Sequence, residues 1–473
     1  MIEKQAAPRA TAPGPPKAPA PGRPRQQNRG GLQLLVLALG FVMASLDTGI
    51  MNVAASDLRA RLGLSMSGLT WVVDGYVLAF AALLLLAGSL ARRYGARRIY
   101  LVGLAVFTAA SLLGAVAPGG TVLVAARFAQ GVGAALFMPS SLSLLMHAFP
   151  EPARRARVLG LWSAIVSLSV ALAPTLGGLL VGTLGWRSLF LVNLPVGLVG
   201  LALTRRTVAA VPAQGAALGG SGHVLGLLAL GALSFALIEG PDQGWSGPAV
   251  LAASGVAVAA AAGFVVRERV SRTPVLPVAL FADRRFAAAN AVGFLFNLAF
   301  YGALFVLGLF LQTARGADPA AAGLQMLPAV LVLPLGNVLY ARIGPRIGNR
   351  AALVGSLALS AAGYALLFLL LTPELPYGVI AVVLAVAHLG GGVSSPAMTG
   401  VLMEAAGREH ADLAGATLNA NRQIGSLVGI AGMGAVLTGA GGGHQGAGYA
   451  FALAALALAA AALAALFGVR TRG

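Results

Sequence analysis

Long apolar runs dominate this chain and limit what it can fold into. Stretches of about twenty apolar residues occupy roughly 32–53, 68–89, 99–117, 121–146, 158–181, 189–204, 222–239, 248–266, 286–311, 321–341, 351–371, 377–398, 415–438 and 447–467. Each is long enough to cross the hydrocarbon layer as a helix, the form in which a lone segment satisfies its own backbone there. Only 10% of the residues are charged, against about a quarter in soluble domains. The runs predict an all-α integral membrane protein with about fourteen transmembrane helices.

The gaps between runs sort by charge. With the first run starting from the cytoplasm, alternate gaps carry Arg92, Arg93, Arg97 and Arg98, then Arg154, Arg155 and Arg157, Arg205 and Arg206, Arg267, Arg269, Arg272, Arg284 and Arg285, Arg342, Arg346 and Arg350, Arg408 and Arg422, and Arg470 and Arg472. The opposite gaps carry Arg59, Arg61, Arg187 and Arg315, and Arg127 lies inside a run. Basic residues collect on the cytoplasmic side, and a miscounted run would scramble the sorting from that point on. An even number of spans, both termini cytoplasmic, is therefore expected in a multi-pass protein of the cell inner (cytoplasmic) membrane.

A weak repeat divides the chain. GSLARRYGARR at 88–98, after the second run, is echoed by YARIGPRIGNR at 340–350, after the tenth. Two related halves are common in secondary transporters. The expected organisation is a disordered basic tail at 1–31, a six-helix bundle at 32–204, two inserted helices with linkers at 205–285, a second six-helix bundle at 286–467 and a short tail at 468–473.

Several function classes fall away. The chain has no cysteine and five scattered histidines, so no metal site, cofactor or enzymatic constellation is expected. Its net charge of +18 is spread among loops rather than gathered on one face, which argues against nucleic acid; the basic tail is better suited to anionic membrane lipids. No GxxxxGK[ST] phosphate loop is present. The first apolar run is too long for a signal core and is followed by many more.

Charge inside a span is costly and marks function or pairing. Asp47, Asp74 and Arg127 all fall about 10 Å below the outer surface at 1.5 Å per residue, so they share a layer in which opposite charges can pair. A carboxylate that gains and loses a proton beside Arg127 would equip an exchanger. Three plainer alternatives stand beside this: Asp74 as an interfacial residue with Trp71 and Tyr76 as surface anchors, Asp47 as a purely structural partner of Arg127, and Arg127 as a snorkelling side chain. Asn52, Tyr76, Asn297 and Gln312 are the polar candidates for touching a substrate, with interhelical hydrogen bonding as the alternative for each.

LVAARFAQGVGAALFMPSS at 123–141, LDTGIMNVA at 46–54, WVVDGY at 71–76 and GWRSLFLVNLPVG at 185–197 together resemble the motifs of the major facilitator superfamily, in its drug:proton antiporter branch with fourteen spans. The likeness runs from about residue 32 to 467. It implies two six-helix bundles plus two inserted helices, and proton-coupled export of small hydrophobic or amphipathic compounds by a protein functional as a monomer. It implies proton coupling by Arg127 with Asp47 or Asp74. Gating and helix packing fall on Gly88, Arg92, Gly95, Arg97 and Arg98 after the second helix, on Gln130, Gly131 and Gly133 in the fourth, and on Gly160, Pro174, Gly177 and Gly178 in the fifth.

The chain departs from the family pattern in three places. Arg92 stands where the family has an aspartate that helps lock the gate, Pro345 stands where the second half often has an acid, and Ser169 and Ala173 replace glycines. A narrow metabolite exporter or importer of the same fold remains the alternative function, followed by a non-transporting scaffold or sensor. Asp47→Asn is expected to leave insertion intact while abolishing coupled export.

Overall fold

A computed structural model describes residues 24–149, 151–210, 213, 220–271, 278–407 and 410–469. The first bundle comprises α1 (Pro24–Leu62), α2 (Met66–Tyr94), α3 (Ala96–Ala115), α4 (Gly120–Ala148), α5 (Pro152–Leu184) and α6 (Ser188–Thr207, interrupted at Val192). Two helices follow, α7 (Gly220–Gln243) and α8 (Pro248–Val270). The second bundle comprises α9 (Arg284–Thr313), α10 and α11 (319–347 and 349–370), α12 (Tyr377–Ala406), α13 (Ala411–Gly439) and α14 (Gly443–Gly468). The helix Pro319–Leu370 holds two of the expected spans, broken where Gly348 leaves helical geometry.

Among the described residues twelve helices are long and apolar enough to cross a membrane, with Pro319–Leu370 taken as one. The helix outside that set is α13, whose apolar character is diluted by Asn419, Asn421, Arg422 and Gln423. It packs among α2, α7, α9, α12 and α14, so protein rather than lipid receives much of its polar surface. Burial ranks the rest: α2 and α9 bury 72% and 78% of their most apolar windows, α7 and α8 only 22% and 17%. The inserted pair is peripheral.

Two differences from expectation concern the ends and the arginines. α1 begins at Pro24, so residues 24–31 of the expected tail continue the helix; propagation from a formed helix is far easier than nucleation. The remainder of that tail, 1–23, and the end of the C-terminal one, 470–473, lie outside the described residues. Arg422, grouped above with loop arginines, is the twelfth residue of α13 and half-buried. Charge sorting along the chain cannot separate a loop arginine from one that a protein wall shelters within the span.

The repeat is structural. Gly95 joins α2 to α3 with φ 92°, and Gly348 joins α10 to α11 with φ 78°, a region where a Cβ costs about 1–2 kcal/mol. Two residues after each glycine an arginine reaches the end of its bundle's last helix. Arg97 Nη2 donates to Arg205 O of α6 at 2.6 Å, and Arg350 Nη2 donates to Leu466 O of α14 at 2.8 Å. A guanidinium at a helix C-terminus satisfies a free carbonyl and opposes the negative end of the helix dipole.

The two halves meet through α1 with α9 and α10, α2 with α13, and α5 with α10. The interatomic approaches between them lie toward the arginine-poor ends. Gln312 Nε2 of α9 donates to Val53 O of α1 at 2.9 Å, and Thr175 Oγ1 of α5 donates to Gly323 O of α10 at 3.2 Å. No hydrogen bond or ion pair among the described residues ties the arginine-rich ends of the halves together. The molecule is closed at one end of its central seam.

Candidate functional site

Backbone-to-backbone packing in the first half fixes the layer that holds the buried charges. A Cβ on Gly133 of α4 would stand 2.7 Å from Phe107 N of α3, and one on Gly131 would collide with Tyr76 O of α2. Small residues allow such approach in a bilayer, where packing and hydrogen bonds rather than hydrophobicity hold helices together. α4 therefore delivers Arg127 and Gln130 directly onto α2, α3 and α1.

There Arg127, 1% exposed, forms an ion pair with Asp47 of α1, 3% exposed, through Nη1 and Oδ2. The same Nη1 donates to Gln130 Oε1 at 2.8 Å, and Arg127 Nε donates to Val72 O of α2 at 2.9 Å. Gln130 Nε2 donates to Asp47 Oδ1 at 3.2 Å and to Ser111 Oγ of α3 at 2.9 Å. Asn193 Nδ2 of α6 approaches Asp47 Oδ1 at 3.5 Å. The guanidinium also lies 4.6 Å from the centre of the Tyr76 ring, a cation–π contact strengthened by the absence of water. Both charges are thus paired and hydrogen-bonded, the condition under which a buried pair is tolerated. The snorkelling alternative for Arg127 does not describe this arrangement.

Asp74 is different. It is fully buried, and neither carboxyl oxygen has a hydrogen-bond partner among the described residues. It lies on α2 two residues from the carbonyl that Arg127 engages, and one turn from Thr70, whose hydroxyl would stand 3.6 Å from a Cβ on Gly434 of α13. The surface-anchor alternative does not hold for its neighbours: Tyr76 is buried against Arg127, and Trp71 Nε1 donates to Glu239 Oε1 of α7 at 2.7 Å.

The profile of the Major Facilitator Superfamily matches this chain over residues 37–430 and 289–473. The chain belongs to the Major Facilitator Superfamily. It is 52% identical over 413 residues to a methylenomycin A resistance protein of Streptomyces coelicolor, covering 87% of each chain. It is 48% identical to a methylenomycin A resistance protein of Bacillus subtilis, over 85% of this chain and 87% of that one. A multidrug resistance protein, Stp, of Mycobacterium tuberculosis is 38% identical over 86% of this chain and 75% of its own. Among solved structures, a peptide transporter crystallised with sulfate superposes with TM-score 0.67 at 16% identity, over 93% of this chain and 97% of that one; at that identity the likeness speaks for the fold. The chain is a transporter of small molecules within a membrane, not an enzyme.

The other superfamily positions separate into groups. Pro174 and Gly178 of α5 lie on the seam between the halves, where a Cβ on Gly178 would strike Pro319 O and one on Gly323 would stand 2.5 Å from Pro174 O, whereas Gly177 packs α5 against α1 of its own half, a Cβ there standing 3.0 Å from Ile50 Cα. Gly160 is on the same helix, its surroundings outside the described residues. Gly88 borders open space, Arg92 Nη2 donates to Ser89 Oγ at 3.2 Å, and Arg92 and Arg98 are exposed. In the second half Asn349 stands at the corresponding turn, accepting from Tyr340 OH and donating to Glu404 Oε1 at 3.3 Å.

The polar candidates of the path also divide. Gln312 joins the halves, as described. Asn52 is buried, its Oδ1 has no partner, and its backbone carbonyl lies against Gly308 of α9. Asn297 donates to Gly293 O of its own helix at 2.8 Å. The residues that sequence reasoning passed over are Ser111, Asn193 and Glu239. Each is a polar residue within or at the end of an apolar run, and that was the available signal.

Proposed function

We propose that the chain is a proton-coupled antiporter, acting as a monomer, that exports small hydrophobic or amphipathic compounds of antibiotic type across the cytoplasmic membrane. Its arginine-rich end and both termini face the cytoplasm. The observation that carries the reading is the contrast between two buried acids of the first half: Asp47, compensated by Arg127, and Asp74, which has no hydrogen-bond or ion-pair partner among the described residues. A carboxylate without a counter-charge in such a place is strongly disfavoured, whereas a carboxylic acid is tolerated. Asp74 is the group for which gain or loss of a proton alters the energy of the conformation most, while Asp47 and Arg127 hold the neighbouring helices together.

The names of the relatives, two methylenomycin A resistance proteins and a multidrug resistance protein, support the direction of transport. Another, 33% identical, is a tetracenomycin C resistance and export protein of Streptomyces glaucescens. The hydrogen bonds between the halves at the arginine-poor end hold the outer side of the seam together. Each proton entering gains about 2.3 kcal/mol per 100 mV, enough for roughly fortyfold accumulation of a neutral cargo outside.

The test is substrate-driven proton movement in proteoliposomes, with drug susceptibility of cells carrying wild type or Asp74→Asn. Wild type should move protons when substrate is added and protect the cells, and the variant should do neither. Protection by the variant at the wild-type level would remove Asp74 from the mechanism.

A further inference from the structure

Arg422 has no part in the charge network of the first half. It lies within α13 of the second half, half-buried, and among the described residues it has neither an ion pair nor a hydrogen bond. Charged side chains within a span are expected to be paired or to border a wet cavity. Its stem runs along α9: a Cβ on Gly293 would stand 3.5 Å from Arg422 Cγ and 3.3 Å from Met398 Sδ. Two turns further along α9 is Tyr301, within electrostatic reach of Arg422, and Tyr301 is in turn within reach of Tyr76. The Tyr301 hydroxyl likewise has no partner among the described residues. Phe296 and Phe300 stack at 5.9 Å on the same helix, and Phe300 meets Tyr301 edge-on at 5.1 Å.

The second half therefore turns a guanidinium, a free phenol and an aromatic and methionine wall toward the side of the seam where Tyr76 covers Arg127. A cation so placed repels cationic cargo, and no carboxylate among the described residues supplies its counter-charge. Guanidinium groups bind carboxylates through two parallel hydrogen bonds, a geometry a neutral ester does not reproduce. We infer that Arg422, assisted by Tyr301, receives a carboxylate of the cargo, so that the transported class is organic acids with an apolar body. The direction of transport in this inference rests on the export reading above; the binding of the acid does not.

The test uses the full chain in lipid nanodiscs with three probes: an anthracene carboxylate, its methyl ester and ethidium. Wild type should bind the acid at least tenfold more tightly than the ester, and ethidium least. Arg422→Gln should weaken acid binding roughly tenfold to a hundredfold and leave the ester within about twofold, while Arg422→Lys should retain part of the preference. Retained ester binding shows that Arg422→Gln is folded; if that variant does not fold, Tyr301→Phe gives the readout, with the acid weakened severalfold and the ester unchanged. Equal affinity for acid and ester in wild type, or equal loss of both in the variants, overturns the inference. Arg422-dependent binding of the acid without its proton-driven export from vesicles leaves the site standing and overturns the export reading instead.

Discussion

Asp47 and Asp74 are both buried on packed neighbouring helices of the first half, yet Asp47 is hydrogen-bonded by three side chains and Asp74 by none among the described residues. The same residue type therefore has opposite structural consequences at two positions a few residues below one surface, and substitution should separate them.

Asp47→Asn strands a buried guanidinium, an arrangement that costs about 3–5 kcal/mol. The melting temperature of purified Asp47→Asn should drop clearly, and Arg127→Gln added to it should restore much of the loss without restoring export. A single variant that melts like wild type would show that the pair contributes nothing to the fold.

Asp74→Asn removes no hydrogen bond or ion pair among the described residues. Its melting temperature should equal or exceed that of wild type, with substrate-driven proton release abolished. Marked destabilisation would point to a partner for Asp74 in the folded protein.

The outer closure can be read by labelling, because the chain has no cysteine of its own. Val53→Cys keeps the backbone carbonyl that Gln312 engages. Adding Gln312→Ala removes a bond of about 0.5–1.5 kcal/mol, so an impermeant maleimide applied outside should label Cys at this position roughly two- to tenfold faster. Unchanged labelling would mean that Gln312 does not hold the halves together.

The two turn glycines should respond alike. Gly95→Ala and Gly348→Ala each place a Cβ at positive φ, and each should lower stability by about 1–2 kcal/mol in thermal or denaturant unfolding. A loss at only one of them would mean that the repeat does not extend to the energetics of its turns.

Much of the architecture was legible before any coordinates. Hydrocarbon imposes the same local demand on each stretch of about twenty residues, so span number and order follow from composition along the chain. The basic turns at 88–98 and 340–350 marked the two halves for a comparable reason: glycine at positive φ and arginine at a helix end are local requirements. Depth alone put Asp47, Asp74 and Arg127 in one layer and left open which acid Arg127 would meet.

What the tertiary structure decided was partnership. Depth put Asp74 in the same layer as Arg127 but could not show that Arg127 turns to Asp47, Gln130 and the Val72 carbonyl instead. Nor could it show that Arg422 lies half-buried within α13 rather than in a loop, or that α7 is fastened to α2 through Glu239 and Trp71. The insertion of each helix is governed by transfer from water to hydrocarbon, a sum over its own residues. Which helix faces which is governed by close approach at small residues and by hydrogen bonds between segments far apart in the chain, and those contacts exist only once the helices have packed.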